Sequence, residues 1–130
     1  MKILARMVFL PIFLFAFATT AGNVLAAGAL DGKVFVGEAG EKGKPADEKN
    51  DVITFADGRF HSSACDQYGF NKAEYKTRTE GDATYFEVET VSEKEGRLKW
   101  SGVLKGNTME GTFTRYITFC KDGNGWFRVA

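Results

Sequence analysis

The chain has 130 residues, with 17 basic and 17 acidic side chains, one histidine, two cysteines, 44% hydrophobic and 14% aromatic residues. Balanced charge offers no electrostatic footprint for nucleic acid or for an anionic membrane surface. The length suits one domain with one core.

The chain begins with Lys2 and Arg6, an apolar run from Met7 to Ala18, and then small residues. This is the pattern of a secretory signal peptide, with Val24-Leu25-Ala26 as the preferred cleavage site and Ala27-Gly28-Ala29 as the second. A membrane anchor is the alternative, but the run falls short of the roughly 20 residues a bilayer requires. Residues 1–26 are therefore expected to be a signal peptide and 27–130 a single periplasmic or secreted domain, with no membrane anchor after cleavage. Cleavage leaves 104 residues and removes two basic and no acidic side chains, giving a net charge of −2. No cysteine lies at the junction to accept a lipid. Cys65 and Cys120 are expected to pair in that oxidising setting, two free thiols being the alternative.

Beyond the signal no helical period is sustained, whereas period-two alternation recurs. Eight strands are expected, at Lys33–Glu38, Asp51–Ala56, Arg59–Ala64, Lys72–Thr79, Ala83–Val91, Arg97–Lys105, Thr108–Phe119 and Trp126–Val129. Asp57-Gly58 is a type I′ signal that sets Phe55 opposite Phe60 and Ile53 opposite Ser62 on the inner face, which puts His61 outside, opposite Thr54. A turn at Gly81-Asp82 or Glu80-Gly81 joins the fourth and fifth strands, and Thr84, Phe86 and Val88 face inward either way. Gly106-Asn107 sets Leu104 opposite Met109, Gly102 opposite Gly111 and Trp100 opposite Phe113, so one face is apolar and the other polar. The fold class is all-β, an eight-stranded antiparallel up-and-down meander that closes into a small barrel and so loses its edges. Two packed sheets are the alternative.

Alternate connections of a meander fall at opposite ends. Asp57-Gly58, Gly81-Asp82 and Gly106-Asn107 are tight and close one end. Ala39–Asn50, Cys65–Asn71, Ser92–Gly96 and Cys120–Gly125 gather at the other, which reads as an open mouth carrying both cysteines. The signal peptide, the "LDGK" start and this asymmetry of turns resemble the calycin superfamily, the lipocalin-like and avidin-like barrels. Phe35 stands near the first-strand tryptophan of lipocalins, and Arg115 is the late-strand arginine on the inner face. Export, small size and a cysteine pair are also similar to the periplasmic lysozyme-inhibitor barrels.

His61, Ser63 and Cys65 share a strand face, which would allow a Cys/His nucleophile or a metal site to be drawn. Residues four apart on a strand are about 13 Å apart, beyond hydrogen-bond reach, and one histidine is too few for zinc. Glu87, Glu89, Glu93 and Glu95 read as solvated surface. No phosphate loop, zinc helix or nucleophile elbow occurs, so no catalytic residue, metal ligand or cofactor site is assigned. Arg115 shares the inner face with Trp100 and Phe113, where it either stacks on Trp100 or Trp126 or anchors an anion. The Gly102–Gly111 gap either seats Trp100 or Phe86 or opens a small cavity. Tyr68 and Phe70, with Trp126, either form a recognition surface beside a front loop bearing Lys42 and Lys44 or cap the core.

These residues lead to a non-enzymatic binding barrel for a small apolar or aromatic ligand. Tyr75, Trp100 and Phe113 would wall the site, Arg115 would meet an acidic group, and Tyr68 and Phe70 would form a lid. The alternatives are a module that recognises an envelope protein through its rim loops and a secreted hydrolase.

Overall fold

The computed structural model describes residues 28–117 and 120–130, and the expected signal peptide lies outside them. Eight strands follow one another, β1 (Val34–Glu41), β2 (Glu48–Ala56), β3 (Arg59–Ser62), β4 (Ala73–Glu80), β5 (Ala83–Ser92), β6 (Gly96–Lys105), β7 (Thr108–Ile117) and β8 (Cys120–Val129), with a 3₁₀ helix over Ser63–Tyr68. Each strand pairs with its sequence neighbours, and β8 returns to β1 from Gly37↔Val129 to Glu41↔Gly125, closing the barrel. Closure satisfies the backbone groups that an open meander would leave on its two outer strands.

The registers follow the apolar pattern. Phe55 faces Phe60 and Ile53 faces Ser62, across a turn in which Asp57 and Gly58 both take positive φ, 53° and 72°. Leu104 faces Met109, Gly102 faces Gly111 and Trp100 faces Phe113. The β4–β5 turn falls at Gly81-Asp82, with Lys76 opposite Glu87.

Three expected boundaries are corrected. The front loop expected over Ala39–Asn50 is shorter, since β1 runs to Glu41 and β2 starts at Glu48. Residues 120–125 are strand rather than loop, with Gly125 opposite Phe113 and Asn124 opposite Thr114. Their Lys-Asp-Gly-Asn-Gly composition reads as a turn, but Gly125 lies beneath the Phe113 ring. A Cβ on Gly125 would sit 2.0 Å from Phe113 Cζ, so the strand requires a glycine there. The third strand ends at Ser62, because Ser63 starts the 3₁₀ helix that was expected to be strand and loop.

Aromatic rings fill the interior. Phe55, fully buried, meets Phe35, Phe60, Tyr75 and Phe86 edge-on, with centroids 4.8–6.1 Å apart. Phe60 stacks on Phe86, and Trp100 meets Phe60, Phe113 and Phe127. The space left by Gly102 and Gly111 is taken by Phe86 and Phe127: a Cβ on Gly102 would lie 2.5 Å from Phe86 Cε1 and 2.8 Å from Phe127 Cζ. Of the two readings of that gap, the filled one holds.

The tight-turn end is sealed by the segment before β1. Leu30 is buried in the core, and Asp31 accepts hydrogen bonds from Gly58 N (3.1 and 2.9 Å to its two oxygens) and from the Tyr75 hydroxyl (2.7 Å). The same hydroxyl accepts from Leu30 N at 2.9 Å. Tyr75 therefore points inward as alternation requires, but at the closed end and not in the wall of the mouth. Burial pushes its phenol up from 10.0 to about 12, and the hydrogen bond to Asp31 adds to the shift.

The neutral phenol is thus favoured by folding, so its contribution is fully present below pH 10 and is lost as pH rises through 12. Denaturant unfolding of wild type should lose more stability across that interval than Tyr75→Phe, which at neutral pH should cost about 1–3 kcal/mol through the unpartnered Leu30 N–H. Equal slopes for the two proteins above pH 10 would contradict this assignment.

Candidate functional site

The loop-bearing end holds a cavity of about 450 Å³ that opens to solvent between the connections. Its apolar walls are Phe70, Leu98, Trp100 and Phe113, with Tyr68 at the rim. The volume falls in the range of about 300–1,000 Å³ typical of small-molecule sites. Trp100 lies near the bottom, 4% exposed, with its indole N–H donating to Thr90 Oγ1 at 3.1 Å. Below it the core rings leave the barrel filled, so the interior is packed at one end and hollow at the other.

Of the seven ligand-wall residues expected from sequence, Tyr68, Phe70, Trp100, Phe113 and Arg115 meet in this cavity. Tyr75 and Trp126 do not. Phe127, not Trp126, takes the inward position on β8; the Trp126 indole donates to Lys44 O at 3.0 Å and borders a separate outer groove with Lys42, Gly43 and Thr112.

Arg115 does not stack on either tryptophan as its main contact. Its Nη2 donates to Glu95 Oε2 at 2.8 Å across the mouth. Its Nε, shielded from solvent, has Asp122 Oδ2 at 3.5 Å but makes no hydrogen bond. Glu95, read as solvated surface, is instead half-buried in the cavity wall, while Glu89 stays at the surface and pairs with Arg97.

A polar corner completes the cavity. Asp51 is 2% exposed, with Ser62 Oγ at 2.9 and 2.7 Å from its two oxygens. It also accepts from Ala64 N at 3.0 Å and Ser63 Oγ at 3.3 Å, while Ser63 Oγ accepts from Val52 N. One buried carboxylate thereby ties β2 to β3 and to the start of the 3₁₀ helix, and several donors offset its loss of water. At the other end of that helix Ser92 Oγ donates to Tyr68 O at 2.7 Å, and Gly69 takes the left-handed conformation at φ 79°. The backbone at Tyr68 is thus anchored, with the Tyr68 ring exposed at the rim and Phe70 buried in the wall.

The "HSSAC" stretch separates into unrelated parts. His61 lies on the outer face opposite Thr54, with Nε2 2.6 Å from Asp66 Oδ1. Cys65 packs half-buried against the core, and burial pushes its thiol up from 9.0 to about 11 despite a hydrogen bond with Ser62. A thiol so disposed is a packing group and a poor nucleophile. Among the described residues no group of three or more His, Cys, Asp or Glu side chains is placed to hold a metal ion.

Cys65 is free, so the expected Cys65–Cys120 disulfide is not formed; the Cys120 side chain lies outside the described residues. Topology supplies the reason. Cys65 follows β3 and Cys120 begins β8, with β2 and β1 between them.

No family model, no curated protein and no solved structure matches this chain. The closed eight-stranded antiparallel barrel is consistent with a calycin-like architecture.

In the folded protein at pH 8, alkylation of Cys65 by iodoacetamide should run at least about tenfold slower than in the urea-unfolded chain. Peptide mapping separates its rate from that of Cys120, and equal rates in the two states would show that Cys65 is not shielded as described.

Proposed function

We propose that this chain is an exported, non-enzymatic barrel whose mouth binds a small, largely apolar or aromatic molecule. The observation that carries the reading is the cavity of about 450 Å³, walled by Phe70, Leu98, Trp100 and Phe113 in a barrel otherwise filled by its own rings. Burial of an apolar body against these rings would stabilise the complex by about 25 cal/mol per Å² removed from water, before the costs of association. Export is supported by the signal-peptide pattern of residues 1–26.

A second reading, recognition of an envelope protein through the rim, is favoured by the exposure of Tyr68, Val91 and Ile117 at the mouth end. In that case the cavity would receive a side chain of the partner rather than a free molecule.

The two are separated with phenylbutanol, a neutral probe that fits the apolar wall. In a Trp126→Phe variant, Trp100 is the remaining tryptophan and reports on the cavity directly. A saturable shift of its emission is expected, together with a bound mass in native spectrometry that is lost on denaturation. An unresponsive Trp100 would contradict the small-molecule reading and leave the rim as the functional surface.

A further inference from the structure

We infer that the occupant of the mouth is a cationic amphiphile, an amine or quaternary ammonium attached to an apolar or aromatic body. This rests on the proposed binding role of the cavity and names the class of molecule it selects. Apart from its aromatic wall, the cavity is bounded by the carboxylates of Glu41, Asp47, Glu48, Asp51 and Glu95 against a single guanidinium, Arg115, with no lysine in the lining.

Arg115 does not reverse that balance. Glu95 and Asp122 flank its guanidinium at 2.8 and 3.5 Å, so its charge is already matched within the protein. A ligand carboxylate placed there would have to displace Glu95 or face it. Glu41 is paired with Lys44, and Asp51 is engaged with Ser62, Ser63 and Ala64. Asp47 and Glu48 remain: among the described residues neither has a lysine, arginine or histidine within ion-pair distance, although Asp47 lies close enough to Lys44 to interact with its charge, and Glu48 accepts from Asn50 N.

Charge and wall then agree on one ligand chemistry. Tyr68, Trp100 and Phe113 line the cavity, and an aromatic ring can attract a cation as well as an apolar body. A charge interaction in a partly enclosed mouth is stronger than on an open surface. An anionic ligand of the same shape would meet repulsion from the rim and gain little from Arg115.

Three probes sharing one body test this: phenylbutylamine, phenylbutanol and phenylbutyrate, titrated against Trp100 emission in the Trp126→Phe protein. The amine is expected to bind about tenfold tighter than the alcohol at low salt, with the carboxylate weakest and added salt narrowing the gap. Asp47→Asn combined with Glu48→Gln, both at the rim and away from the core, should remove most of the amine's advantage over phenylbutanol. Equal affinities, or a preference for the carboxylate, would overturn the cation assignment while leaving the binding cavity intact. A preference for the amine that survives the double variant would overturn Asp47 and Glu48 as its source. If none of the three probes moves Trp100, the binding role itself fails and the inference fails with it.

Discussion

Phe86 and Phe127 meet over a part of the barrel wall that carries no side chains, because Gly102 faces Gly111 there. A Cβ on Gly111 would lie 2.1 Å from Ser101 O, so the two strands approach as closely as they do only with glycine at that position. The large rings then drop toward the centre, where Phe55 joins them to Phe35, Phe60 and Tyr75. A barrel of eight strands has an interior about one layer of side chains wide. Filling its lower part with rings of this size settles where empty space can remain, which is above Trp100 at the loop-bearing end.

Two carboxylates fix the ends of the structure in complementary ways. Asp31 at the closed end links the segment before β1 to the β2–β3 turn and to β4 through Gly58 and Tyr75. Asp51 at the mouth links β2, β3 and the 3₁₀ helix. Buried Asp51 replaces lost water with hydrogen-bond donors from two elements, whereas Asp31 stays exposed and makes its cross-link without that desolvation cost. Asp51 holds the start of the 3₁₀ helix and Ser92 its end at Tyr68 O; in the binding role proposed for the mouth, that anchoring would lower the ordering cost of binding.

Much of this was legible in the residues. Alternation and turn chemistry set the pairing of Trp100 with Phe113 and of Phe55 with Phe60, because a one-residue slip would expose every ring. Height along the barrel axis was not legible, since it depends on strand tilt and stagger rather than on parity. That is why Tyr75 faces inward as expected yet seals the closed end, while Phe113 reaches the mouth. Residues 120–125 looked like a loop from their Lys-Asp-Gly-Asn-Gly composition, which does not record that the Phe113 ring of β7 fills the space at Gly125. The disulfide expectation failed for a related reason: compartment and count favoured pairing, but strand order keeps the two cysteines' strands apart. Asp51 carried an unused signal. It lies two and four residues before Ile53 and Phe55, so the same alternation already placed a carboxylate on the inner face.

One end of this barrel is a packed plug, and the other is proposed as a binding mouth. Amide chemical-shift mapping of isotope-labelled protein titrated with phenylbutylamine distinguishes the two ends. Perturbations are expected to group at Tyr68, Phe70, Leu98, Trp100 and Phe113, with Phe55, Tyr75 and the Asp57-Gly58 turn unchanged. Perturbations centred on the closed end, or spread over the outer faces of the strands, would contradict that proposal.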